Sequence, residues 1–502
     1  MTQAPAFELL EATIDSIHDA MRAGRLTCRE LVQRYLNRIE AYDQRGPAIN
    51  AVQIVNPAAL VEADQLDAKL KATGIDGPLF GIPVALKDQV ETSDMPTTYG
   101  SALFRGFVSE RNATIVDKLK AAGAIIVCKT NMGEFAQGYA GSAFGVCRNP
   151  YDPKRDASGS SSGSGAAVAA NMATVAIGED TLGSIRGPAA RGNLVGLRPT
   201  PPLVSRHGMM PAAPSRDTLG PLARTVRDAA ILLDVIAGYD PNDPLTAACV
   251  GHVPKTYTSF LVPDGLRGLR LGVIRDPMNK EANPQAGDFK QVRGAIDRAL
   301  NDLREQGAEI VDPVEIPGVK DIADRTGGAW ETEAATNAYL AAHPYAPAKS
   351  LQEIVLSTDV LPSRRARLME GIGRTTNDPG YLQHLLVREQ LRQAVYTAMA
   401  DNRLDALIYA TFDHDPLMTP DDVLTTFKNV PYPGNNRLLS PMIGFPAMSV
   451  PAGFSSAGMP IGIEFLGRPF TEGLLFKIAY NYEQATHHRR PPTLTPALPG
   501  EP

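Results

Sequence analysis

The chain has 502 residues, 43% hydrophobic and 21% charged, with a formal net charge of −6 at pH 7; this suits two or three ordinary domains or one large α/β domain with insertions. Acidic and basic residues are interspersed, so no concentrated basic surface of the kind that phosphate backbones require is expected, and nucleic acid is not expected as the main partner. The four cysteines (Cys28, Cys128, Cys147, Cys249) form no CxxC pair, which leaves metal and redox motifs unsupported and favours small buried thiols in a reducing compartment.

Residues 7–23 carry Leu9, Ile14, Ile17 and Met21 at helical spacing. Thr27-Cys28-Arg29-Glu30 is a capping box, in which the threonine and glutamate side chains satisfy opposite backbone N–H groups. It opens a helix with Leu31, Tyr35, Leu36 and Ile39 inward. Asn50–Val55 reads as a strand, Pro57 starts a helix to about Lys71, and Gly81–Lys87 is a short strand. A helix over 113–122 leads to the strand Ala124–Cys128, and a helix from about Gly163 to Met172 leads to the strand Thr174–Gly178. This alternation predicts an α/β fold with a buried, mixed or parallel sheet.

Thr225–Gly238 is a further helix, and 240–268, rich in Pro, Asp and Gly, reads as a surface connection. Leu269–Ile274 and Glu309–Val311 are strands around a helix over Val292–Glu305. From about 320 to 400 the chain is mostly helical and polar, which predicts an insertion or cap over the sheet. Strand character returns at Leu404–Tyr409, Ala447–Val450 and Ile461–Phe465, and a helix follows near 471–485. No basic n-region precedes an apolar run at the N-terminus, and no apolar stretch reaches about 18 residues, so a cytoplasmic chain without a membrane span is expected.

Three places in the chain can carry chemistry. Lys87 ends an apolar strand in which Pro83, Ala85 and Lys87 share one face and Ile82, Val84 and Leu86 the other. Burial there disfavours the ammonium and can make the lysine a base near neutral pH. The bland alternative is a lysine paired with Asp88 or another acid. Gly159-Ser160-Ser161-Ser162-Gly163 has the form of a nucleophile elbow, but the turn-rich residues 149–157 provide no strand to precede it. Nor is it a phosphate-binding loop, since no Gly-Lys-Ser/Thr follows. Ser184 lies in Asp180-Thr181-Leu182-Gly183-Ser184-Ile185-Arg186, where Gly183 allows unusual dihedrals and successive N–H groups can converge on one point. Asp180 and Arg186 are close enough to brace this loop with an ion pair; a polar turn after a strand is the plain reading.

The order of these pieces resembles that of the amidase signature family. The resemblance rests on Gly-Ile-Pro-Val-Ala-Leu-Lys-Asp (81–88), Thr-Thr-Tyr-Gly-Ser (97–101), Gly-Ala-Ile-Ile-Val-Cys-Lys-Thr-Asn-Met-Gly-Glu-Phe (123–135) and Ser-Ala-Phe-Gly (142–145). It continues through the serine loops to Gly-Leu-Arg-Pro-Thr (196–200), Val-Ser-Arg-His-Gly (204–208) and Asp-Thr-Leu-Gly-Pro (217–221), and reappears around 444–467. Bacterial amidases and aryl acylamidases are the members it looks most like. The resemblance implies a large mixed central sheet covered on both faces by helices, with a helical insertion as cap. Residues 1–502 would form one domain, with a core over about 60–235 and 403–488 and the insertion over about 315–402.

It also implies a triad. Lys87 falls at the family's lysine, Ser160 at its cis-peptide serine and Ser184 at its nucleophile, with Ser161 supporting the network. The N–H groups of Thr181, Leu182, Gly183 and Ser184 would form the oxyanion hole. Met132, Phe135, Tyr139 and Phe144 would line the acyl pocket. The implied reaction is hydrolysis of a carboxamide or anilide C–N bond of a small molecule through an acyl-enzyme, with no cofactor and no metal; a homodimer is admitted.

The sequence departs from the family pattern at Leu182, where Gly is usual, and at Glu179, where Thr is common. Carbamates, ureas and esters fit the same machinery. The glutamine-hydrolysing subunit of a tRNA-dependent amidotransferase is an alternative, but Gly434-Asn435-Asn436-Arg437 offers no acid to hold a glutamine amine. A catalytically weak binding protein is a third reading, motivated by Leu182. Asp413-His414-Asp415 reads as a hydrogen-bonded loop rather than a metal site, Arg364-Arg365 as a solvated face, and Trp330 as an anchor of the cap or a substrate contact.

Overall fold

In the computed structural model, which describes residues 7–322, 328–428 and 431–501, eleven strands form one mixed sheet. In chain order they are β1 (Val52–Val55), β2 (Pro83–Lys87), β3 (Ile125–Thr130), β4 (Val175–Asp180), β5 (Val195–Arg198), β6 (Thr218–Ala223), β7 (Arg270–Val273), β8 (Glu309–Val311), β9 (Ala406–Ala410), β10 (Ala447–Phe454) and β11 (Pro460–Leu466). Their spatial order is β1-β3-β2-β4-β6-β5-β10-β11-β9-β7-β8. The strands β3, β2 and β4 run parallel, and so do β9, β7 and β8, while the middle of the sheet is antiparallel. Every residue of β2, β3, β4, β6 and β11 is buried, because helices cover both faces.

Local sequence sets the helices that hold this frame. The capping box at Thr27 and Glu30 opens the helix Cys28–Arg38 as expected. The first helix is shorter than its spacing predicts: a second capping box, Thr13 with Ser16, starts it at Ile14, so Leu9 is buried from the preceding turn rather than from a helical face. Helix Ser162–Ala169 (Ser-Gly-Ser-Gly-Ala-Ala-Val-Ala) is buried on every side. Small residues make that possible, since a Cβ on Gly163 would lie 2.3 Å from the Ala51 carbonyl oxygen and 2.5 Å from Asn131 N. This contact locks the helix, and the serine loop before it, against the end of β3.

The expected insertion divides into two parts. Helices Thr332–Ala341, Leu351–Leu356 and Pro362–Met369 form a roof. Leu340, Ile354 and Val360 pack there with Tyr99, Phe104 and Phe107 of the core. Helix Pro379–Asp401 instead buries Leu391, Val395 and Met399 against Leu407, Tyr409 and Met442, so it belongs to the layer against the sheet. No helix among the described residues is long and apolar enough to cross a membrane.

Candidate active site

Lys87 ends β2, fully buried, with its Nζ 2.8 Å from Ser160 Oγ and 2.8 Å from Glu179 Oε2. The Glu179 carbonyl oxygen is a third neighbour, at 3.3 Å. Parallel pairing sets Leu86 beside Ile177, which brings the next residues of β2 alongside the end of β4. Ser160 follows a cis peptide bond after Gly159. Ser161 ties the two serine loops: its N–H donates to the Ser184 carbonyl (3.3 Å), its hydroxyl donates to the Glu179 carbonyl (3.0 Å), and the same oxygen accepts from Glu179 N–H (3.1 Å).

The Ser184 loop hangs on Asp180. Its carboxylate accepts from Gly183 N–H (2.7 Å), Ile185 N–H (3.1 Å) and Arg186 Nε (3.2 Å), and Arg198 Nη1 lies 3.2 Å away. The ion pair expected between Asp180 and Arg186 is therefore present, and Arg186 extends it to Glu464 and to the Arg437 carbonyl (2.8 Å). Burial alone would raise the Asp180 carboxyl, but Arg186 and Arg198 outweigh it and hold it well below the usual carboxylate range. Gly183 adopts φ +111°, and a Cβ there would lie 2.6 Å from Arg437 Cβ, so both backbone and space require glycine. Its N–H is engaged by Asp180, which removes it from the set of four oxyanion donors expected from the sequence.

Burial pushes the Lys87 amine below the usual lysine range, against the opposing pull of Glu179. It likewise pushes the Glu179 carboxyl up, against the pull of Lys87. Asp88, the expected partner of Lys87 in the bland reading, is instead 3.4 Å from Lys129 Nζ and bonded to Thr98.

A cavity of about 280 Å³ opens above Ser184. Ser184, Gly159, Thr181 and Leu182 form its floor side, with Met132, Phe135, Met210 and Gln89 around them and Thr336, Leu351, Ile354 and Leu368 of the roof across it. Lys87 and Ser160 are fully buried and not part of this lining, although Gly159, next to Ser160, is. Of the four pocket residues expected from sequence, Met132 and Phe135 line the cavity. Tyr139 lines a separate small cleft with Arg364, and Phe144 lies outside, its carbonyl held by Asn50 Nδ2 (2.6 Å). Met210, Tyr432 and the roof residues were not legible as lining, because they reach the site from distant segments.

One other expectation changes. Arg364 is buried, not part of a solvated face, because helix Pro362–Met369 turns it inward beside Glu134. Trp330 lies outside the main cavity, near Tyr381 and His384. His414 is held by Asp288 (3.0 Å) and Asp413 by Arg293 (2.9 Å), the hydrogen-bonded loop expected there.

Comparison with known proteins agrees with this architecture. The Amidase family matches residues 30–476. A glutamyl-tRNA(Gln) amidotransferase subunit from Thermosynechococcus vestitus is 36% identical over 509 residues, covering 96% of this chain and 99% of the relative. The peptide amidase of Stenotrophomonas maltophilia superposes with a TM-score of 0.88 at 36% identity, covering 97% of this chain and 99% of that one. A bacterial aryl acylamidase superposes with a TM-score of 0.81 at 23% identity, covering 97% and 99%, a likeness of fold alone. The mixed eleven-stranded sheet, the ordered motifs from Gly81 onward and these near-full-length matches together establish that the chain belongs to the amidase signature family.

Proposed function

We propose that the chain hydrolyses the C–N bond of a small carboxamide or anilide with an apolar or aromatic acyl part, through a Ser184 acyl-enzyme. The observation that carries this reading is the 2.8 Å contact between the buried Lys87 amine and the hydroxyl of Ser160, whose neighbour Gly159 lines the same cavity as Ser184. Lys87 as a neutral amine accepts the Ser160 proton, and Ser160 takes the proton of Ser184 as that oxygen attacks the carbonyl carbon. The N–H groups of Thr181, Leu182 and Ser184 are the donors for the tetrahedral oxyanion. The proton then returns through Ser160 to the leaving nitrogen, and water resolves the acyl-enzyme.

The lining favours the substrate class. Met132, Phe135, Leu182, Met210, Ile354 and Leu368 offer apolar surface to an acyl group. Among the described lining residues the charged ones are Arg216, Arg367 and Arg437, and none is acidic. A free glutamine could place its α-carboxylate against those arginines but would find no acid among them for its α-ammonium, which counts against the glutaminase reading despite the likeness to amidotransferase subunits. The likeness to a peptide amidase makes peptide amides the first compounds to test, with carbamates, ureas and esters after them. Treatment with a fluorophosphonate and mapping of the adduct tests the nucleophile. Labelling at a residue other than Ser184, or turnover of glutamine in preference to every amide and anilide, would sink the proposal.

A further inference from the structure

The Thr181 hydroxyl stands between two carboxyl groups, 2.6 Å from Glu179 Oε1 and 2.7 Å from Asp217 Oδ1. A hydroxyl has one proton to donate. It can satisfy one carboxylate, and at these distances two lone pairs cannot face each other, so one of the two acids must itself carry a proton. The remaining contacts say which. Asp217 receives backbone N–H donors on both oxygens, from Ala212 to Oδ2 (2.8 Å) and from Ala213 to Oδ1 (3.0 Å) and Oδ2 (2.9 Å). Glu179 receives Lys87 on Oε2, while its Oε1 meets only the Thr181 hydroxyl.

We propose that Glu179 is held as a protonated acid, donating from Oε1 to Thr181, which donates in turn to Asp217, and that this neutral acid positions Lys87 as a neutral amine. The Oε2 carbonyl and the Glu179 backbone carbonyl then accept the two amine N–H bonds, and the amine lone pair faces the Ser160 hydroxyl. An ionised Glu179 would instead hold Lys87 as an ammonium, with all three protons donated and no lone pair for Ser160. The directions in which burial moves both groups agree with the neutral arrangement. The other charged groups facing the pair are Asp180, turned toward Arg186 and Arg198, and Asp217. Glu179 is thus a positioning residue acting through Lys87. The role in turnover rests on the Lys87–Ser160–Ser184 reading, whereas the place of the proton does not.

The test uses the full chain and the isosteric variant E179Q. At neutral pH the infrared difference between wild type and E179Q is expected to contain a protonated-carboxyl C=O band that moves to lower frequency when glutamate carries carbon-13 at its side-chain carboxyl. A band that moves with labelled aspartate instead, or the absence of any such band, overturns the proposal. E179T serves as the reference if E179Q does not fold. In turnover, E179Q is expected to lose about three- to tenfold in kcat and to keep the acid limb of kcat/KM within about half a pH unit. An acid limb displaced downward by more than about one unit would identify Glu179 as a carboxylate that had been raising the Lys87 pKa, and would overturn it. The infrared experiment needs no substrate, so failure to find an amide that is cleaved would count against the proposed function without touching the assignment of the proton.

Discussion

Two lysines stand one strand apart in this sheet, and they differ in a way that burial alone does not reveal. Lys87 on β2 and Lys129 on β3 are both fully inaccessible, both lie near a buried carboxyl, and in both burial pushes the amine below the usual lysine range. Lys129 faces Thr97 Oγ1 (2.9 Å), the Pro96 carbonyl (3.3 Å) and Asp88 Oδ1 (3.4 Å), a set of acceptors that suits an ammonium. Lys87 also faces a hydroxyl, but that of Ser160, whose neighbour Gly159 lines the same cavity as Ser184. A depressed amine is therefore not a functional mark in itself. What separates the two is whether the hydroxyl beside the amine sits next to a cavity that a ligand can enter.

The largest effect tests whether the chain from Lys87 through Ser160 ends at Ser184. Ser184→Ala is expected to lower kcat/KM for any cleaved amide by about 10⁴-fold or more and to abolish fluorophosphonate labelling, with the unfolding midpoint little changed. Retained turnover would place the nucleophile elsewhere.

The paired lysine substitutions come next. Lys87→Ala is expected to lower kcat by about 10²–10⁴-fold, the range of a lost general base. Lys129→Met should leave the folded enzyme's turnover within about threefold while costing about 3–5 kcal/mol of stability, because Asp88 then stays buried without its cation. Denaturant unfolding with activity normalised to folded protein reads both. Equal losses of activity would erase the distinction between the two sites.

The pH profile sharpens it further. The folded Lys87 amine is depressed, so its neutral, basic form is present above that pKa and is lost as pH falls through it. Activity should therefore decline on the acid side with one proton bound, and Lys129→Met should not move that limb. An acid limb that shifts with Lys129→Met would assign the titration to the wrong lysine.

The sequence made the residues of this comparison visible but not their pairing. Apolar runs bounded by Gly and Pro located β2, β3 and β4, and the serine loops were readable because Gly and Ser punctuate the ends of buried elements. Two strands of the main sheet escaped. Val195–Arg198 is only four residues and ends in a charge, and Thr218–Ala223 contains Pro221, which argues against a central strand. Pro221 pairs with Ile177 of β4 but lies beyond the β5 ladder, which covers only Leu222 and Ala223, so on that side no ladder bond needs its missing N–H. The Glu179–Lys87 contact was equally hidden, since it depends on which strands become neighbours and in what register. Similarly, nothing in Asp-Thr-Leu-Gly-Ser says that the Asp180 side chain would claim the Gly183 N–H.

The smallest expected effect concerns Leu182, in the second serine loop on the cavity wall. Its side chain is half-buried, packs against the cluster that holds Leu438, Leu439 and Met442, and lines the cavity beside Ser184. If its role is to shape the acyl pocket, Leu182→Gly should enlarge the space next to the nucleophile without touching the Lys87–Ser160 contact. Bulky acyl amides should then gain, and small ones lose, about three- to tenfold in kcat/KM, mostly through KM, as expected for a change of a few methylene groups. A series of amides graded by acyl size reads this directly. A uniform fall in kcat of more than about 100-fold across the series would instead mean that the leucine holds the backbone of its loop in place, and that the N–H groups beside it belong to the same device as the proton chain below.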